Sequence, residues 1–250
     1  MPVRVPYERP VTVIPVQPLA LAVAGVAALT PTTLHSTSSH SSPSQARSES
    51  PAAQQEGSVG AADLLAAVRD GTPVSRGTYR NDRGAPATIP VCGTDDAVFR
   101  KAGMDIDCDG QPGARCSTAT DPYFSASTAF AQSDGRPPNS AALPFVVVPV
   151  PSALWDYRAH GVRGGSVVAV VYGGQVRYAV VGDTGPADII GEASYATAEA
   201  LGIDPDPRTG GTPSGVTSIV FKGSRVTPIE GQKAAVAAGE EPARRFVDGD

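Results

Sequence analysis

From residue 88 onward the chain is written in short apolar runs divided by Gly, Pro and Asp. Residues 89–91, 143–149 (LPFVVVP), 167–172 (VVAVVY), 175–181 (QVRYAVV) and 216–221 (VTSIVF) have the length and β-branched content of strands. Gly173 and Gly174 tolerate positive φ, so residues 167–181 read as a hairpin with a two-residue turn. Gly182-Asp183-Thr184-Gly185-Pro186 then punctuates the second arm and places Asp183 at a strand end. Ile189-Ile190 is a short buried run, Gly191 a tight turn, and 193–201 a stretch of helix formers with Gly202 as its stop, which puts Glu192 at a helix start. Residues 61–69 (AADLLAAVR) predict a helix with Leu64, Leu65 and Val68 on one side, and 232–238 a weaker helical run. Many strands and one convincing internal helix predict a mainly β (α+β) domain, closed or nearly closed into a barrel.

The first quarter of the chain reads differently. Residues 19–29 (LALAVAGVAAL) are too few to span a bilayer but fit a signal-peptide core, with Arg4 and Arg9 upstream. Residues 1–29 are therefore expected to be a signal peptide and the protein to be secreted and extracellular. Residues 30–57 are rich in Ser, Thr, Pro, His and Gln and offer little to bury, so they are expected to form an unstructured linker ahead of one catalytic barrel domain, 58–250.

Charge narrows the partners. A formal net charge of -5 argues against a nucleic-acid binder, whose footprint would be basic, and suits a cationic partner. No nucleic acid and no membrane partner are expected, and the protein is expected to be a monomer. Of the three histidines, His35 and His40 fall in the linker, which leaves His160, read as an exposed loop residue, and disfavours triads built on histidine. Cys92, Cys108 and Cys116 form neither a zinc ribbon nor a CxxC pair. In an exported protein Cys108 and Cys116 are near enough to bridge and leave Cys92 free, although Cys92 could replace either partner.

Residues 104–116 (MDIDCDGQPGARC) carry Asp105-x-Asp107-x-Asp109-Gly110, the first half of a calcium-loop pattern. Cys116 stands where the bidentate Glu belongs, so a complete EF-hand is excluded. Acids lining a groove for a cationic ligand are the preferred reading, ahead of a looser calcium site and of a solvated turn. Asp183 and Glu192, on either side of a turn, can supply one acid to protonate a leaving oxygen and one base to activate water. The ordinary alternative is a turn Asp and a first-turn Glu that complements the helix dipole.

Taken together, residues 101–111 (KAGMDIDCDGQ), Asp121-Pro122-Tyr123-Phe124, 139–149 (NSAALPFVVVP), 182–186 (GDTGP) and 189–194 (IIGEAS) resemble glycoside hydrolase family 75, the inverting endo-chitosanases. The likeness runs from about residue 77 to 229. It implies an endo-acting hydrolase of β-1,4 bonds in chitosan, with no cofactor and no metal, whose catalytic pair carries over to Asp183 and Glu192. The strand, GDTGP, Ile-Ile and helix text around residues 182–194 also resembles double-psi β-barrel lytic transglycosylases, which implies a six-stranded double-psi β-barrel. A peptidoglycan lytic transglycosylase and an expansin-like wall-binding barrel are the competing readings.

Chitosan is a polycation, so Asp105, Asp107, Asp109 and Asp121 are the expected substrate-attracting acids. Tyr123, Phe124 and Tyr195, with Trp155 and Tyr157, are the candidate sugar platforms, core packing being the ordinary role of such residues. An inverting mechanism would set the two carboxyls roughly 6.5 to 9.5 Å apart. A helix N-terminus would favour the Glu192 anion and suit a base, whereas burial would hold its proton. The related barrels favour the second, with Glu192 as acid and Asp183 as base.

Overall fold

The computed structural model describes residues 56–249, so the expected signal peptide and most of the expected linker lie outside the described residues. Glu56, assigned to that linker, is already held. Its N–H donates to Val176 O and its carboxylate accepts from Tyr178 N–H at 2.9 Å.

The chain runs α1 (Ala61–Ala67), β1 (Thr72–Pro73), β2 (Cys92–Gly93), β3 (Ala97–Asp107), β4 (Phe145–Pro149), a 3-10 turn (Tyr157–His160), β5 (Val167–Tyr172), β6 (Gln175–Gly185), β7 (Glu192–Ser194), α2 (Tyr195–Ala200), β8 (Thr212–Phe221) and α3 (Gln232–Asp248). The sheet order is β1-β2-β3-β7-β4-β6-β5-β8, and β8 pairs back with β3. Six strands thus close on themselves, the barrel anticipated above. Its wall mixes antiparallel ladders with two parallel ones, β3 with β7 and β4 with β6.

Two alternating residue sets explain the closure. Val98, Val146, Val168, Val170, Val181 and Val220 belong to one core cluster, which fills the barrel. Their neighbours Phe99, Phe145, Val167, Val180 and Phe221 belong to a second, packed beneath α1 and α3 with Leu64 and Phe246. Strands buried on both faces read as unbroken apolar runs, which is why VVAVVY shows no alternation. Full burial of a Val or Phe side chain is worth about 1.5–3 kcal/mol, so these two layers dominate the stability.

The hairpin forms as expected: Gly173 and Gly174 have φ of 56° and 80° between β5 and β6. Other boundaries shift. Residues 89–91 make only an isolated bridge, Ile89 with Tyr79. β6 continues through Asp183 to Gly185, so Asp183 stands inside the strand and Pro186 ends it. Glu192 does not start a helix. It opens β7, and Ser194 caps α2, its Oγ accepting from Thr197 N–H at 3.2 Å and donating to Leu143 O. The weak run at 232–238 is the start of the 17-residue α3, whose Ala235, Ala243 and Phe246 are buried. β3, absent from the sequence pattern, is an 11-residue strand at the centre of the sheet.

Candidate active site

The acids converge because of strand register. Asp105 faces Glu192 and Asp107 faces Ser194 across the parallel β3–β7 ladder. β4 lies next, pairing with β7 on one side and β6 on the other, and Val147 faces Asp183. Asp105 and Asp107 alternate with Met104 and Ile106, which belong to the barrel-filling cluster, so the two acids project from the other face.

One contact fixes how Glu192 is carried. Its Oε2 lies 2.5 Å from the point a Cβ on Gly185 would occupy, and Val147 Cγ1 lies 3.0 Å from that point. Gly185 is two residues beyond Asp183 on β6 and shares its face, about 6.6 Å along the strand. The Glu192 carboxyl therefore reaches across β4 to the face that bears Asp183.

Asp183 is buried and held at one oxygen. Its Oδ1 accepts from Ala129 N–H at 2.6 Å and from its neighbour Thr184 N–H at 2.7 Å. Ala129 comes from the long connection between β3 and β4, which also pins the other acids. Asp109 Oδ1 accepts from Ser125 N–H at 2.7 Å, Asp107 Oδ1 from Asp109 N–H at 2.7 Å, and the buried Asp121 accepts from Tyr123 N–H at 2.8 Å. The Cys108–Cys116 disulfide closes the acidic loop, and Cys92 is free and half-buried. The expected pairing is present.

Crowding of carboxyls in a desolvated place raises their pKa values. Burial, then the charge of Asp105, moves Glu192 up to about 7, opposed by Arg100. Burial raises Asp109 to about 6, against the Ser125 hydrogen bond. Asp107 is pushed well above the carboxylate range by burial and the charge of Asp109, with Asp183 and Glu192 adding to it. Asp183 is raised by burial, while its two N–H donors favour the anion. Asp107, Asp109 and Asp183 each present an oxygen within 4.8 Å of the others, so these three could hold a cation, and the same proximity adds to the upward shifts of Asp107 and Asp109.

The aromatic candidates separate. Tyr123, 59% exposed, and the half-buried Phe124 sit beside Asp121 in the loop. Tyr195 carries the Arg115 guanidinium 5.2 Å above its ring and lines a surface hollow with Thr120, Asp206 and Arg208, which Asp105, Asp107, Asp109, Asp121, Asp183 and Glu192 do not line. Trp155 and Tyr157 are buried in edge-to-face contact and pack in the core. His160, expected to be an exposed loop residue, is half-buried in the 3-10 turn with its ring 5.9 Å from Trp155. Local pattern missed Gly185, since its role depends on a contact with β7, and Arg100, which is buried in the barrel.

The family described as fungal chitosanase of glycosyl hydrolase group 75 matches residues 104–246. An endo-chitosanase of Aspergillus fumigatus is 32% identical over 139 residues, 50% of this chain and 58% of that protein. Endo-chitosanase B of Aspergillus oryzae is 32% identical over 142 residues, 52% of this chain and 59% of that protein. The chain thus spans under two thirds of the length of these curated relatives.

Proposed function

This chain belongs to the fungal chitosanase family, glycosyl hydrolase group 75, and from that premise we propose that it is a secreted endo-chitosanase that hydrolyses β-1,4 bonds between glucosamine units with inversion. Glu192 is the general acid and Asp183 the general base. The observation that carries this reading is the pairing, across one strand, of a carboxyl that keeps its proton up to about 7 with a carboxylate tied by two backbone N–H groups.

Glu192 donates its proton to the glycosidic oxygen as the bond to the anomeric carbon breaks. Asp183 takes a proton from water, whose oxygen attacks that carbon from the opposite face. The reaction leaves Glu192 ionised and Asp183 protonated, and exchange with solvent restores both. A separation in the inverting range agrees with the Glu192 carboxyl lying over Gly185, two residues from Asp183 on the same face. Asp105, Asp107, Asp109 and Asp121 draw in the protonated amines and favour deacetylated units. Tyr123 and Phe124 are the sugar platforms favoured by their position beside Asp121.

Incubation with chitosan, chitin and peptidoglycan tests the reading. Reducing ends and short glucosamine oligomers are expected from chitosan and little from chitin. Anhydro products from peptidoglycan, with chitosan intact, would replace the reading with a lytic transglycosylase.

A further inference from the structure

Inside the barrel, within electrostatic reach of Glu192, three polar groups meet in an apolar setting. Arg100, Trp155 and Ser218 are 7%, 5% and 2% exposed. Arg100 Nη1, Trp155 Nε1 and Ser218 Oγ have no hydrogen-bond partner among the described residues. All three residues line one cavity, walled elsewhere by Val98, Val146 and Ile190, with about 20 Å³ of room for the centre of a water-sized sphere. Arg100 and Ser218 face each other directly across the β3–β8 ladder. Buried polar groups are almost always hydrogen-bonded, and a buried charge almost always has a counter-charge.

We propose that this cavity is a binding site for a small monovalent inorganic anion of chloride size, held by Arg100 Nη1, Trp155 Nε1 and Ser218 Oγ. All three atoms can donate a hydrogen to it, and a spherical acceptor takes all three at once. Because that room is counted for the centre of a water-sized sphere, the cavity also admits a sphere somewhat larger than water. Charge decides between water and an anion. Burial lowers the Arg100 pKa only to about 10, so the guanidinium is a cation at neutral pH. Glu192 bears on that charge but forms no ion pair with it among the described residues, and it keeps its own proton up to about 7. Glu192 is only partly ionised at neutral pH, so a neutral water would leave the cation incompletely compensated, whereas an anion neutralises it and meets every donor.

The test uses the full chain purified and crystallised in sodium bromide in place of chloride. An anomalous difference peak is expected between the three donor atoms, and it is expected to vanish in Arg100→Met. Because that variant alters a buried charge, Trp155→Phe, which keeps the ring and removes one donor, serves as the second. In solution at constant ionic strength, replacing gluconate by chloride is expected to raise the wild-type unfolding midpoint by about 3 °C, through binding to the native state alone. Trp155→Phe is expected to lose most of that rise. Density of an ordered water without anomalous signal, or equal midpoints in the two anions, would overturn the proposal.

Discussion

Glu192 Oε2 sits 2.5 Å from where Gly185 would carry a Cβ, so the carboxyl proposed as general acid rests against bare backbone of β6. Gly185→Ala would place a methyl in that space. The nearest obstacle is the end of a flexible side chain, so the fold survives and the carboxyl moves. We expect the unfolding midpoint to change by no more than about 2 °C, while kcat on chitosan falls by about 10–100-fold, the loss expected for a reacting group displaced by about 1 Å. Steady-state kinetics beside thermal unfolding checks both.

Protonation of Glu192 links activity to stability with a definite sign. A carboxyl raised from 4.5 to about 7 binds protons more tightly folded than unfolded. Its stabilising contribution is therefore complete below about pH 4.5 and is lost as pH rises through about 7. Glu192→Gln removes the group that must ionise in a buried site. At pH 8 the variant is expected to be more stable than wild type by about 1–3 kcal/mol, while chitosan hydrolysis drops about 10²–10⁴-fold. Denaturant titrations at pH 4.5 and pH 8, with activity on the same samples, decide it. A variant less stable at pH 8, or fully active, would count against the assignment.

Much of this arrangement could be read from local pattern. The hairpin and the strand end near Asp183 stand on short-range signals, and the pairing of Cys108 with Cys116 is one of the options their spacing offers. The choice of Asp183 and Glu192 as a pair comes with the family resemblance. What escaped local pattern has physical causes. β3 was hidden because Arg100, Lys101 and Gly103 interrupt its apolar run, although Lys101 is exposed and Arg100 is buried inside the barrel. Helix propensity after Gly191 carried the predicted helix back over Glu192, whereas Ser194 caps it two residues later. Asp107 reads as one of a run of groove-lining acids, with nothing local to tie it to Asp183. Its meeting with Asp183 follows from the β3–β7 and β4–β6 registers, which join segments far apart in sequence.

The disulfide braces the loop that presents Asp109. Cys108→Ser with Cys116→Ser is expected to lower stability by about 2–4 kcal/mol. It is also expected to raise KM for chitosan more than it lowers kcat, since Asp183 and Glu192 lie on strands outside the loop. Equilibrium unfolding and the split between kcat and KM measure the two effects.

Attraction of a polycation by exposed acid is screened by salt. KM for chitosan is expected to rise several-fold between about 20 mM and about 500 mM salt, and Asp105→Asn, at an exposed position opposite Glu192, is expected to weaken that dependence. Kinetics across the salt series, with chains of uniform acetylation, reads this out.

The division of labour within the pair is tested most directly by azide. Removing the base leaves a site that a small anion can fill, and azide attacking from the water side yields a glycosyl azide of inverted configuration. Asp183→Ala incubated with chitosan oligomers and azide is predicted to give that product, with its anomeric configuration read by NMR. Glu192→Ala under the same conditions is predicted to give none. If the inverted azide forms only with Glu192→Ala, the acid and base roles are exchanged. An azide of retained configuration from either variant contradicts the inverting mechanism itself.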